Sequence, residues 1–310
     1  MKHKWIFLLL TVVLALSLVT AGCAEKQEKH AIFCWGQWSG DWLTIYVPKI
    51  LLEDEFGYTT EIAELSTPAA WTAVAAGEAD LFTDAWLPNQ ADLKEKYAAT
   101  AISLGVIYGT EKDPCIQTWF VPKWVSEQYG ITSVTDLNDP EIAKMFDVDG
   151  DGIGDLLGCD AAWRCAAFND ELIADHKLDT LYEQKYGSEM MMEAAIVGRM
   201  KKDEPVLFYL WTPHPFFIKY PIGESVVILE EASAPFGLAT VIKIGNVDWI
   251  AENPKAAELV RQVEFTPADI GWAVGEINER GDDAATLEAI AREWMAEHQA
   301  EVDSWVKAAK

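Results

Sequence analysis

Between residues 31 and 87 the hydrophobic pattern changes period four times, and this alternation constrains the fold more than any other feature. AIFCW (31–35) is an unbroken apolar run of strand length. After the loop GQWSGDW (36–42), LTIYVPKILLEDEFG (43–57) has the spacing of an amphipathic helix closed by Gly57. YTTEIAEL (58–65) alternates like a strand, and Ser66-Thr67-Pro68 opens a second helix with proline in its first turn. Gly77 ends that helix, and ADLFTDAW (79–86) returns as a strand. Strand alternating with helix predicts an α/β fold with helices packed on a sheet. Ligand sites in such sheets lie beyond the carboxyl ends of strands. GQWSGDW, DAWLPNQ (84–90) and YLWTPHP (209–215) all stand at such ends, the last after the apolar strand PVLFYLW (205–211).

A second unit begins near TWFVPKWVSEQYGI (118–131) and runs through a glycine-rich segment at 147–165. Near EEASAPFGLATVIKI (230–244) the chain crosses back. The expected division is a first lobe of residues 31–118 with 234–310 and a second of 119–233. Two lobes joined by two crossings are the layout of a hinge-closing binding protein. The C-terminal stretch 284–309 places Leu287, Ile290, Trp294, His298, Val302 and Trp305 on one face, the core stripe of a single docking helix.

Residues 1–22 combine a basic start (MKHK), an apolar run and a small-residue stop, the pattern of a signal peptide. Cys23 follows Ala21-Gly22 in the manner of a bacterial lipobox and is expected to carry a lipid anchor, with 23–30 as a tether; a plain cleaved signal is the alternative. The chain would then reside outside the cytoplasm and touch the membrane through that anchor alone. The whole chain has a net charge of −26; loss of residues 1–22 removes Lys2 and Lys4 and leaves 22 basic against 50 acidic groups, or −28. Such a body repels phosphate backbones, so nucleic acid is not an expected partner. Cys34, Cys115, Cys159 and Cys165 remain, an even number that suits disulfides in an exported chain. Cys159–Cys165 closes a tight local loop, which leaves Cys34–Cys115 by subtraction.

Of fourteen tryptophans, Trp71, Trp294 and Trp305 lie on helix faces and read as core. Trp86, Trp163 and Trp211 stand in loop or strand-end contexts. Pro88 follows Trp86 by two residues and Pro213 follows Trp211 by two, and proline stops a strand and stiffens the turn. Trp163 lies between Cys159 and Cys165. Stiffly mounted indoles suit a quaternary ammonium, which donates no hydrogen bonds but is attracted to ring faces by about 2 kcal/mol per desolvated contact.

DPEIAKMFDVDGDGIGDLLGCDAAWRC (139–165), EPVLFYLWTPHP (204–215), AAGEADLFTDAWLP (75–88) and the helix 284–309 resemble the ProX-like family of glycine betaine/proline betaine-binding proteins. These are substrate-binding components of ABC transporters, and the likeness spans nearly all of the mature chain. It implies a two-lobed periplasmic-binding-protein fold of type II, each lobe a helix-flanked sheet, with no catalysis. An ABC permease and its ATPase are the implied partners, and no cofactor is required. The resemblance implies that Trp86, Trp163 and Trp211 box a trimethylammonium group. It places the ligand carboxylate on the backbone N–H groups of Arg164 and Cys165 and on the side chain of Gln90. Gln90 replaces the family's histidine and Arg164 its glycine, so a larger betaine or choline stays open as ligand.

DVDGDGIGD places Asp147, Asp149, Asp151 and Asp155 at positions 1, 3, 5 and 9 of a calcium loop, with Gly152 at position 6. Gly158 replaces the closing glutamate, so the expectation is a structural calcium ion that completes its shell elsewhere. His214 is the one histidine near the cleft and reads as a rim residue. G-x-S-x-G, H-E-x-x-H, Walker A and G-x-G-x-x-G fingerprints are absent from the sequence. The alternative reading is an exported carbohydrate-binding or glycoside-active protein, because tryptophans also stack on sugar rings.

Overall fold

The computed structural model describes residues 29–310; the signal segment, Cys23 and most of the tether lie outside the described residues. The strands are β1 (His30–Trp35), β2 (Thr59–Glu64), β3 (Leu81–Leu87), β4 (Ala101–Tyr108), β5 (Cys115–Pro122), β6 (Gly154–Leu157), β7 (Tyr182–Lys185), β8 (Leu207–Trp211), β9 (Val226–Ile228) and β10 (Leu238–Asn246). They form a sheet in the order β2-β1-β3-β10-β5-β8-β6-β7, with β4 also on β10 and β9 on β5. The two halves of this sheet meet at a narrow waist, where Leu238 pairs with Ile116 and Ala239 with Cys115. The chain passes that waist between β4 and β5 and returns between β9 and β10, which makes the two lobes of the α/β fold.

Each lobe repeats one construction. In the first, β1 runs parallel to β2 and β3, and parallel neighbours need crossover connections. Helices Asp41–Phe56 and Thr67–Ala76 supply them. Both helices end in a left-handed glycine, Gly57 (φ 69°) and Gly77 (φ 73°), a conformation that costs a side-chain-bearing residue more. In the second lobe β6 runs parallel to β7 and β8, with helices Arg164–Asp175 and Glu189–Met200 as the crossovers. The core divides into a small cluster around Trp71, Val74, Phe82 and Ile244 and a large one through the rest of both lobes. Trp71, Trp294 and Trp305 are buried in these clusters, as helix-face positions should be.

The C-terminal stretch departs from the expected single helix. It forms two helices, Ala284–Glu297 and Gln299–Ala309, with His298 between them at φ −108° and ψ 29°. The His298 ring stacks on Trp294 at 4.1 Å and its Nδ1 lies 2.9 Å from the Trp294 carbonyl oxygen. That local bonding holds the residue out of helical geometry. Leu287, Ile290, Trp294, Val302 and Trp305 are buried as expected; His298 stays partly exposed.

The cysteines also depart from expectation. Cys159 and Cys165 are joined, but Cys34 and Cys115 are free and buried. Cys34 lies on β1 and Cys115 on β5, with β3 and β10 between them in the sheet. Three strand spacings amount to roughly 14 Å, about twice the Cα separation a disulfide spans. Burial pushes the Cys34 thiol up to about 12, with nearby Asp80 adding to the rise. Burial raises Cys115 as well, so both behave as small apolar core residues.

Candidate ligand-binding site

The loops after β1, β3, β6 and β8 converge on one cleft at the waist. Its lining includes Trp38, Asp84, Trp86, Gln90, Trp163, Arg164, Cys165, Tyr209 and Trp211. β3 ends at Leu87 and β8 at Trp211. The Leu87–Pro88 and Thr212–Pro213 peptide bonds that follow are both cis. Trp163 is the N-cap of helix Arg164–Asp175, and the disulfide ties its loop to the first turn of that helix.

Four indoles meet edge to face. Trp163 and Trp211 have ring centroids 5.5 Å apart at 79°, Trp38 and Trp211 are 5.6 Å apart at 79°, and Trp38 and Trp86 are 6.0 Å apart at 72°. T-shaped packing is a favoured arrangement of aromatic pairs and helps hold each ring in place. Trp211 is buried, and its Nε1 has no hydrogen-bond partner among the described residues. The sequence reading placed Trp86, Trp163 and Trp211 here but passed over Trp38. Its location in the GQWSGDW loop at the end of β1 was the available signal.

Asp84, also passed over, anchors two of these walls. Its carboxylate accepts from Trp38 Nε1 (2.9 Å), from Trp86 Nε1 (2.9 and 3.0 Å) and from Tyr108 Oη (2.8 Å). Residues two apart on a strand share a face, so Asp84 and Trp86 were legible as a pair. Beside it lies Asp41, fully buried at the start of helix Asp41–Phe56 and accepting from the Gly36 N–H at 2.6 Å. Burial raises both carboxyls, and for Asp41 the neighbouring Asp84 charge raises it further.

Hydrogen-bond donors also line the cleft. Gln90 is buried, and its Oε1 accepts from Trp71 Nε1 at 2.6 Å. That bond fixes the amide so that its NH₂ is left as the donor. The N–H groups of Arg164 and Cys165 belong to the first helical turn, where N–H groups lack intrahelical acceptors and the helix dipole is positive. The Arg164 side chain is exposed and its guanidinium lies 4.7 Å from the Phe168 ring centroid, so the arginine packs along its own helix.

A polar contact spans the cleft. Ser39 donates to Glu189 from its backbone N–H (3.1 Å) and its hydroxyl (2.8 Å). Ser39 follows Trp38 in the first lobe, and Glu189 opens helix Glu189–Met200 in the second. His214 Nε2 lies 3.4 Å from the same carboxylate. His214 is therefore no rim residue: it is buried, packs on Trp211 at 5.1 Å, and accepts from the Phe216 N–H at Nδ1.

The aspartate loop lies away from the cage. Asp147, Asp149 and Asp151 come together, whereas Asp155 groups with Asp149 and Glu183. Lys185 on β7 reaches into both groups, at 2.6 Å from Asp149, 3.2 Å from Asp155 and 4.0 Å from Asp151, and it also pairs with Glu183. Asp147 accepts from the Gly150 and Gly152 N–H groups, and Asp155 accepts from Val148. The carboxylates thus already serve the loop's own backbone and one ammonium.

Residues 32–297 match the family model described as the substrate binding domain of an ABC-type glycine betaine transport system. The chain belongs to this family. It is accordingly a substrate-binding component of ABC import and not an enzyme, and the comparisons give no support to the carbohydrate reading. It is 29% identical over 288 residues to the glycine betaine/proline betaine-binding periplasmic protein of Salmonella typhimurium, covering 86% of this chain and 85% of that one. The Escherichia coli protein of the same description is 27% identical over 285 residues, with the same coverage. Among solved structures, an ABC-transporter choline-binding protein in complex with choline superposes with a TM-score of 0.76 at 19% identity, covering 90% of this chain and 91% of that one. Lactococcal OpuAC in its closed, glycine betaine-bound conformation gives 0.74 at 21% identity, covering 90% and 99%. The structural matches share the two-lobed fold.

Proposed function

We propose that the protein captures glycine betaine, or a related quaternary ammonium solute with an anionic end, between its lobes and delivers it to an ABC permease and its ATPase. The observation that carries this reading is the meeting of Trp38, Trp86, Trp163 and Trp211 edge to face in one cleft. Ring faces attract an N-methylated cation that ordinary acceptors hold poorly. The reading is supported by Gln90, Arg164 and Cys165 lining the same cleft, where the amide and the two helix-terminal N–H groups could donate to a carboxylate. Binding and lobe closure complete the cycle without chemistry, the lobes being 31–118 with 234–310 and 119–233. Capture would take place outside the cytoplasm, with the protein held at the membrane by lipid on Cys23. Among the described residues no helix is long and apolar enough to span a membrane.

Calorimetric titration of the soluble domain with glycine betaine, choline and glycine tests the reading. Tight glycine betaine binding with none of glycine is expected, and choline affinity measures how much the site asks of a carboxylate. Silence from both methylated ligands overturns it. A structural calcium ion at Asp147, Asp149, Asp151 and Asp155 is a second proposal, supported by the clustering of Asp147, Asp149 and Asp151, with Asp155 beside Asp149 in a second group. Such an ion would have to displace the Lys185 ammonium. A melting temperature raised by calcium and lowered by chelator is the expected outcome, and no change in either rejects it.

A further inference from the structure

Asp41 and Asp84 are two buried carboxyls behind the cage, on a helix and a strand that meet at Thr44 Oγ1 and Thr83 Oγ1, 3.0 Å apart, and the Asp84 charge raises the Asp41 carboxyl. Two carboxylates in contact and out of water cannot both be ionised, so one proton is shared between them. The geometry says which residue holds it. Asp84 accepts from two indole N–H groups and from the Tyr108 hydroxyl, an environment built for a carboxylate. Asp41 accepts at Oδ2 from the Gly36 N–H, while its buried Oδ1 has no donor facing it. An oxygen without a donor, beside a carboxylate, is the place for a hydroxyl that donates.

We propose that Asp84 is the ionised counter-charge of the cage and that Asp41 is its neutral partner, a carboxylic acid donating to it; Asp84 thereby makes the site select a cationic head group over a neutral one of the same shape. The anion sits at the N–H edges of Trp38 and Trp86, so it draws a cation toward the ring faces without touching it. This inference rests on the quaternary-ammonium reading above and adds the residue that enforces it.

The test compares glycine betaine with 3,3-dimethylbutanoate, in which a carbon replaces the cationic nitrogen, on wild type, Asp84→Asn and Asp41→Asn. Wild type prefers glycine betaine. Asp84→Asn loses about tenfold or more of that preference, whereas Asp41→Asn, an amide that still donates to Asp84, keeps it within about threefold. A preference retained in Asp84→Asn, or lost equally in Asp41→Asn, overturns the proposal. Failure of wild type to bind glycine betaine instead rejects the functional reading. Infrared spectra of the ligand-free protein give a readout independent of binding and of the Asp84 variant. The carbonyl stretch of a buried carboxylic acid is expected in wild type and absent in Asp41→Asn; its absence from wild type overturns the assignment.

Discussion

Asp84 and Lys185 each gather several oppositely polarised partners around a single charge, yet they do different work. Asp84 lies behind the cage, buried, among indole N–H groups, a phenol and a second carboxyl. Lys185 lies among four acidic side chains, three of them near half-exposed, on the rim of the second lobe. Hydrogen bonds from Lys185 hold the Asp149 carboxyl below its ordinary range, and the reciprocal bonds raise the lysine. Water and salt screen such a surface cluster, so its share of stability is small, about 0–1 kcal/mol. The buried hub is out of water and is screened little. Depth, more than partner count, separates a charge that organises a site from one that pins a loop.

Removing a cage wall should have the largest effect. Trp163→Ala or Trp211→Ala is expected to weaken glycine betaine binding at least tenfold, since one lost cation–π contact is worth about 2 kcal/mol. Calorimetric affinity unchanged by either substitution would dissolve the contrast between a working buried hub and an idle surface one.

Lys243 sharpens the role of depth. It is fully buried on β10 and donates to the carbonyls of Arg261 (2.9 Å) and Val263 (2.5 Å). Burial lowers its pKa to about 7, partly opposed by Glu264. The unfolded lysine keeps its ordinary value of about 10.4. Between those values the unfolded chain binds the extra proton, so stability rises with pH across that window, and below about 7 the full cost of the buried ammonium is present and constant. Lys243→Met should therefore gain more unfolding free energy at pH 6 than at pH 9, by about 3 kcal/mol. Equal gains at both pH values would contradict the burial argument.

Glu189 tests whether contact across the cleft matters. Glu189→Ala removes both Ser39 bonds, and a charged hydrogen bond contributes about 1.5 kcal/mol, so glycine betaine should dissociate several-fold faster with the cage residues untouched. Stopped-flow dissociation at the wild-type rate would mean that Ser39–Glu189 does not help hold the closed form.

The smallest effect belongs to the surface hub. Lys185→Met should lower the thermal midpoint slightly at low salt and by less in high salt, with glycine betaine affinity unaltered. A salt-independent loss would place this cluster with the buried one.

Much of the first lobe was legible because its signals are local. The period changes from AIFCW to ADLFTDAW marked three strands and two helices, and Gly57 and Gly77 marked the helix ends. Proline after Trp86 and Trp211 marked where strands stop. The Cys159–Cys165 bridge could be read because it spans six positions. Cys34–Cys115 could not, because strand order, which inserts β3 and β10 between them, is set by which faces pack together and not by spacing. Nor did periodicity show the break at His298, which depends on a ring stacking back on Trp294.

The sequence by itself determined the α/β alternation, the family and the indoles Trp86, Trp163 and Trp211, because each is written in a short run of residues. Tertiary structure alone decided that Trp38 joins them, that Asp84 holds two of the walls beside Asp41, and that Ser39 meets Glu189. Those contacts join residues 46 to 173 positions apart, as well as Asp41 and Asp84. They exist because two parallel-stranded lobes bring their carboxyl-end loops to a common waist.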